Sequence, residues 1–232
     1  VYERAGRVQT LDGERGSVTL IGAVSPPGGD FSEPVTSHTK EIIQTFWALS
    51  KELADARHYP SVDWVDSFSQ DVPIAAGWWA KEISGAWSQR RAQALSLLAR
   101  DAELSRIVNL VGPEALSPEQ RWVLESARLI REGVLQQSAM DEVDSYASPE
   151  KQYALLTLMD HIHKDGERLI KNGVPVQVLL EMPVLARARR AKSVYSSDQI
   201  ERLTDFIKEV RGEFELIRRE YESVSKTAEQ SL

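Results

Sequence analysis

Hydrophobic positions along this chain change their period three times, and the changes mark its organisation. Residues 17–24 read Ser-Val-Thr-Leu-Ile-Gly-Ala-Val, rich in β-branched residues and apolar on both faces. Such a run predicts a buried strand of an α/β sheet rather than half of an exposed hairpin. Asp12-Gly13 is a turn signal ahead of it. Pro26-Pro27 forbids continuation of the ladder, and Gly28-Gly29 opens backbone angles closed to other residues. A loop then delivers Asp30, Phe31 and Glu33 before a helix begins near Val35. Ile42, Ile43, Phe46, Leu49 and Leu53 recur at helical spacing and predict one amphipathic helix over 35–57. Pro60 pushes Tyr59 into an extended conformation, and a β-like segment follows to about Gln70.

From Asp71 onward the period is almost purely helical. We therefore expect two domains, 1–70 and 71–232: the end of an α/β domain, then a helical bundle, mostly α overall. Trp79, Ile83, Trp87, Ala94, Leu97 and Leu98 share one helix face, and Leu104, Ile107, Val108 and Val111 continue before Gly112. Ser117-Pro118-Glu119-Gln120 is a capping-box pattern with proline at the first helical position. Ser148-Pro149-Glu150 opens a second helix in the same way, and Asn172-Gly173 stops it. Pro175 and Pro183 bracket a short helix over 176–182. In the last helix Ile200, Leu203, Ile207, Val210, Phe214, Ile217 and Tyr221 alternate three and four apart. At about three heptads this seam predicts packing onto the bundle rather than a coiled coil. The polar tail after Ser223 is expected to fray.

Composition narrows the chemistry. The 232 residues carry a net charge of −7, which argues against nucleic acid as a partner. With no cysteine, disulfides, thiolate metal sites and cysteine nucleophiles are excluded. No apolar run approaches the roughly 20 residues of a membrane span, so a soluble, intracellular chain is expected. The sequence starts at Val1, and its single buried strand would need neighbours that the chain hardly supplies. We read it as a piece whose N-terminal part is missing. It contains neither a Gly-x-x-x-x-Gly-Lys-Ser/Thr phosphate loop nor a Gly-x-Gly-x-x-Gly fingerprint.

The candidate sites are individually weak. His161 and His163 stand two apart on a helix and point to different faces, so solvated residues are favoured over a zinc site. Arg187, Arg189, Arg190 and Lys192 read as a solvated helix end, with an anion grip as the alternative. Glu114 and Glu119 flank a capped helix–helix corner, which is either that alone or a contact surface. Tyr59 is either a core aromatic or a ring held against a ligand. Asp30 and Glu33 are loop carboxylates, and Glu33 is placed to meet the N-terminus of the next helix.

Taken together, several longer motifs carry a resemblance. Residues 2–8 (YERAGRV), 16–36 (GSVTLIGAVSPPGGDFSEPVT), 46–49 (FWAL) and 57–60 (RHYP) are followed by LVGPEALSPEQ, LQQSAMDEVDSY and PEKQY in one order. This series resembles the catalytic A subunit of V-type and archaeal A-type rotary ATPases, closely to about Val184 and loosely beyond. The resemblance implies the end of a P-loop nucleotide-binding domain joined to the C-terminal helical domain. It implies ATP or ADP with Mg²⁺ as cofactor. The phosphate-loop lysine, general-base glutamate and magnesium-ordering acid would lie upstream, so the chain alone is expected to be inactive. Tyr59 matches an aromatic position that packs on adenine. Met140 falls at another pocket position, where the family usually has an aromatic, and Phe31 is a third contributor. Asp30, Glu114 and Glu119 are implied rotor contacts. Implied partners are B subunits alternating with A subunits in a hexamer, the central-stalk rotor and a peripheral stalk. The membrane is reached only through the complex, from a soluble cytoplasmic head. The competing reading is a truncated, non-catalytic helical interaction module.

Overall fold

The computed structural model describes residues 4–229. Tyr2 and Glu3 of the first motif, and residues 230–232 of the tail, lie outside them.

Two small antiparallel sheets open the chain. Strands β1 (Gly6–Gln9) and β2 (Arg15–Val18) form a hairpin in which Gly6 faces Val18 and Gln9 faces Arg15. Gly13 turns it at φ +86°, a left-handed angle that favours glycine. This corrects the expected buried strand over 17–24. Only its first two residues are in a strand, and that strand is half of an exposed hairpin. Ile21 is 90% exposed and Leu20 and Val18 are also open, because nothing within the described residues packs over them. Apolar character on both faces identifies a segment suited to burial, but burial also needs a second layer.

Glu33 caps helix α1 (Pro34–Ile42), its carboxylate accepting from the amides of Val35 (3.1 Å) and Thr36. The single helix expected over 35–57 is broken in two. At Ile43 the backbone turns extended (φ −98°, ψ 149°), and β3 (Thr45–Leu49) follows. There Phe46 and Ala48 turn inward while Trp47 and Leu49 stay exposed. Ser50 then caps the short α2 (Lys51–Asp55), accepting from the Leu53 amide at 3.2 Å. The cause is tertiary. Strand β4 (Val62–Ser69) offers β3 a ladder partner, from Thr45 opposite Ser69 to Leu49 opposite Val62, with a bulge between Phe46 and Ala48.

The remainder is helical: α3 (Val72–Glu82), α4 (Trp87–Val111), α5 (Pro118–Ile130), α6 (Pro149–Lys171), α7 (Val176–Leu180), α8 (Pro183–Val194) and α9 (Ile200–Glu229). The capping box at Ser117 forms in both directions, and Ser148 caps α6 by accepting from the Lys151 amide. Beyond Ile130 the backbone widens into one π-helical segment, Arg131–Leu135, closed by Gln136 N–H to Arg131 O at 2.8 Å.

The core runs through α5 and α6, and α7, α8 and α9 close over it, with Trp122, Leu129, Leu158, Ile162, Leu179, Leu185 and Leu203 all fully buried. Leu203, Ile207, Val210 and Phe214 of α9 form the expected seam on the bundle, with Phe206 buried beside them, and Phe214 meets the Trp122 ring edge-on at 6.3 Å. The helix runs through the polar tail as far as Glu229. At the α5–α6 crossing Gly166 lies under Trp122, whose Nε1–H donates to His163 O at 2.9 Å.

Candidate functional site

The Tyr59 region is built from two segments far apart in sequence. Residues 57–60 follow α2 through Arg57, a non-glycine residue at φ +56°. His58 is buried, with its ring 5.6 Å from Trp64 and its Nε2 3.2 Å from Arg131 O on the π segment. The Tyr59 carbonyl accepts from the Gln137 amide at 2.7 Å, and the Arg57 carbonyl accepts from Gln136 Nε2 at 3.3 Å. Tyr59 is thus held through its backbone, its hydroxyl lies 3.5 Å from Ala54 O, and the residue as a whole stays 53% exposed. A ring presented in this way offers a flat apolar face to solvent without conformational freedom at its base.

Residues 136–148 leave the π segment as a loop before α6, with Met140 at 97% exposure. Inside the loop, Asp141 Oδ1 accepts from the amides of Val143 and Asp144, each at 2.9 Å, and Asp144 Oδ2 accepts from the Ser138 amide at 2.8 Å. Two lysines hold it from below. Lys151 Nζ donates to Val143 O at 2.8 Å, and Lys192 Nζ donates to Gln136 O while lying 3.5 Å from Asp144 Oδ2. Lys151 is fully buried, and desolvation pushes its pKa below the usual lysine value against the pull of Asp144 and Asp141.

Tyr59 and the loop carrying Met140 are therefore joined by a backbone hydrogen bond. Phe31 is engaged elsewhere. Its ring meets Phe46 edge-on at 5.6 Å, Phe46 stacks on Phe68 at 5.9 Å, and Lys40 Nζ sits 4.9 and 4.7 Å from the Phe31 and Phe46 centroids. Asp30 Oδ1 accepts from the Ser32 hydroxyl (2.6 Å) and amide (2.9 Å), bonds that hold its carboxyl below the usual range. Glu114 and Glu119 share the turn between α4 and α5. Glu114 lies on a short 3₁₀ turn, Pro113–Ala115, where its carbonyl accepts from Arg121 Nη2 at 3.3 Å. Glu119 has its pKa lowered by its own amide and by the Ser117 hydroxyl, 2.8 Å away.

Two readings need correction. His161 and His163 are half-buried rather than solvated, and desolvation pushes both below the usual histidine range. His163 Nδ1 lies 2.9 Å from Ser126 Oγ. Among the described residues no group of three or more His, Asp or Glu is placed to hold a metal. The basic run is a solvated helix end only in part, since Arg187 stays exposed. Arg187 reaches Glu209 (2.8 Å), Arg189 reaches Glu125 (2.6 Å) and Lys192 is buried, while Arg190 is exposed on the helix surface. The anions gripped are carboxylates of the bundle itself. Lys151 and Asp144 escape the sequence reading, and Lys192 enters it only as part of a solvated helix end, although a signal for burial exists. Lys192 falls in helical register with Leu185 and Ala188, and Lys151 with Ala154, Leu155 and Leu158, all buried.

Comparison with known proteins gives the same outline. A family profile described as the C-terminal domain of V and A type ATP synthase matches residues 76–179. Another, the nucleotide-binding domain of the ATP synthase alpha/beta family, matches residues 1–69. The V-type ATP synthase alpha chain of Nitrosococcus oceani is 65% identical over 225 residues, covering 97% of this chain and 38% of that protein. The corresponding A-type ATP synthase chain of Methanopyrus kandleri, its A subunit, is 46% identical over 216 residues, covering 92% and 36% respectively. An ATP synthase subunit of known structure, NeqB from Nanoarcheaum equitans, superposes with a TM-score of 0.54 at 25% identity, covering 75% of this chain and 38% of that one. The chain thus spans well under half the length of these relatives. No helix among the described residues is long and apolar enough to cross a membrane. With two profiles matched in chain order and close identity across nearly its whole length, the chain belongs to the family of V- and A-type ATP synthase A (alpha) subunits and corresponds to their C-terminal part.

Proposed function

We propose that residues 57–60 and 136–148 form the adenine-facing side of a nucleotide site in an ion-translocating rotary ATPase. The observation that carries this is the presentation of Tyr59, whose ring is open to solvent while its carbonyl is tied to the Gln137 amide. An adenine base laid on that ring would need no rearrangement of the backbone, and Met140 supplies a soft, adaptable neighbour. Phe31 contributes to the base only if its ring leaves Phe46. The nucleotide is ATP or ADP with Mg²⁺. Phosphate and metal would be held by residues outside this chain, which has no glycine-rich phosphate loop.

The division into 1–70 and 71–232 is read as a nucleotide-binding end and a moving helical arm. The arm presents Glu114 and Glu119 to a central-stalk rotor, with Asp30 as a second contact. B subunits alternate with copies of the complete chain in a ring about the stalk, a peripheral stalk holds the ring, and the whole head lies on the cytoplasmic side. Opening and closing of the nucleotide site would swing the arm as a rigid body.

The test is Tyr59→Ala in the complete subunit, with binding of a fluorescent adenine nucleotide as the readout. Loss of stacking worth about 1 kcal/mol gives roughly fivefold weaker binding. Unchanged affinity removes Tyr59 from the site. The 232-residue chain alone is expected to hydrolyse no ATP above background, and magnesium-dependent turnover by it would overturn the placement of phosphate chemistry elsewhere.

A further inference from the structure

We propose that Lys192 is a positioning residue for the nucleotide site, orienting from α8 the single peptide unit that holds Tyr59. This rests on the adenine reading of Tyr59. The carbonyl of Gln136 and the N–H of Gln137 belong to the same planar peptide group. Lys192 Nζ donates to that carbonyl, and that N–H donates to Tyr59 O at 2.7 Å. The ammonium of the bundle and the backbone of the tyrosine therefore grip opposite ends of one rigid plate. A cation on the carbonyl also polarises the amide and strengthens its N–H as a donor. Rotation of the plate would break both bonds together.

The surroundings fit a built clamp rather than a chance surface contact. Asp144 is 3% exposed and Lys151 is fully buried, with Lys192 nearly so. Lys151 secures the far side of the same loop at Val143 O, and Asp144 secures the Ser138 amide. Buried charges are costly and persist where they are paired and hydrogen-bonded. An apolar residue at position 192 could fill the space but could not reach a carbonyl. A shift of α8 relative to residues 57–60 would pass directly to Tyr59. The helical bundle thereby gains a mechanical line to the base-binding face that does not run through the phosphates.

The experiment is amide hydrogen exchange on the 232-residue chain, comparing Lys192→Met with the charge-balanced double variant Lys192→Met/Asp144→Asn. The double variant removes the stranded carboxylate, so a stability defect caused by buried charge is relieved while the grip on Gln136 is still lost. Exchange at Gln137 at least tenfold faster in the double variant, with α6 protected as in wild type, supports the proposal. Wild-type exchange at Gln137 overturns it. Loss of α6 protection in both variants also overturns it, by assigning Lys192 to holding the fold. In the complete subunit, binding of a fluorescent adenine nucleotide separates the two readings. If Tyr59→Ala weakens binding and the double variant does not, the positioning role falls. If neither weakens binding while Gln137 exchange still accelerates, the clamp stands and the adenine reading falls.

Discussion

Gly166→Ala probes the closest packing in the bundle. A Cβ on Gly166 would lie 2.7 Å from Trp122 Nε1 and nearer still to Cε2 and Cζ2 of the same ring. The ring cannot give way cheaply, because it is 1% exposed, abuts Phe214 and is tied to His163 O. Overpacking of this kind costs about 1–3 kcal/mol. Displacing the indole also loses a buried hydrogen bond worth about 1 kcal/mol. Against this, alanine is the better helix former by about 1 kcal/mol. The net expectation is destabilisation by about 2 kcal/mol, or roughly 0.7 M in urea midpoint at an m of about 3 kcal/mol/M. Gly77→Ala and Gly212→Ala are the matched controls: both positions are helical, and a Cβ there meets nothing within 4 Å. They should gain up to about 1 kcal/mol. Urea titrations followed by circular dichroism read all three. A midpoint for Gly166→Ala at or above wild type, moving with the controls, would refute the argument from Trp122.

Three further outcomes are expected. Ser117→Ala removes one half of the capping box on α5 and should cost about 1 kcal/mol in urea unfolding, with no change meaning that the cap is dispensable. His163 is held below its usual value of 6.5 by desolvation, so its neutral form is favoured in the fold. Its contribution is complete above that pH and is lost as pH falls through 6.5 toward the lowered value, because the unfolded chain then binds the extra proton. His163→Gln should flatten the dependence of the urea midpoint between pH 7.5 and 5.5, and an unaltered slope would assign that dependence to other groups. Asp160→Asn takes the carboxylate from both Arg90 (2.8 Å) and Lys164 (2.9 Å), leaving Arg90 only its bond to Tyr153 Oη, and should cost about 3 kcal/mol by the same titration, whereas a change under 1 kcal/mol would make the network incidental.

What could be read from the sequence was what is encoded locally. Ser117 and Ser148 announce α5 and α6 because a cap, a proline and a following amide lie within four residues. The α9 seam was legible because one face of a long helix repeats often enough to show its period. β3 was hidden because Phe46 and Leu49 fit a helical period, and only the distant β4 decides between the alternatives. The run after Ser17 was read as buried from its own composition, but burial is a property of two surfaces. At the candidate site, Tyr59 and Met140 could be singled out by motif. The link between them could not, since it runs through backbone atoms of Tyr59 and Gln137. Lys151 goes unnoticed and Lys192 is placed on a solvated helix end because a charged residue is taken for a surface residue unless its helical register is followed.

The π-helical turn at Arg131–Leu135 has a consequence for how this stretch tolerates changes of length. A π turn is an α-helix carrying one residue more than its pitch requires. Deleting any single residue there would let the helix close as an ordinary α turn, with little loss of local hydrogen bonding. Because the π turn carries that residue as a bulge, the chain beyond it would keep its helical phase. Gln136 and Gln137 would then still face the carbonyls of Arg57 and Tyr59. A single deletion in the five residues should therefore be absorbed, whereas an insertion beside them would turn everything downstream by about 100° and advance it by about 1.5 Å, and should leave a folded bundle whose first 60 or so residues have lost their anchorage to it.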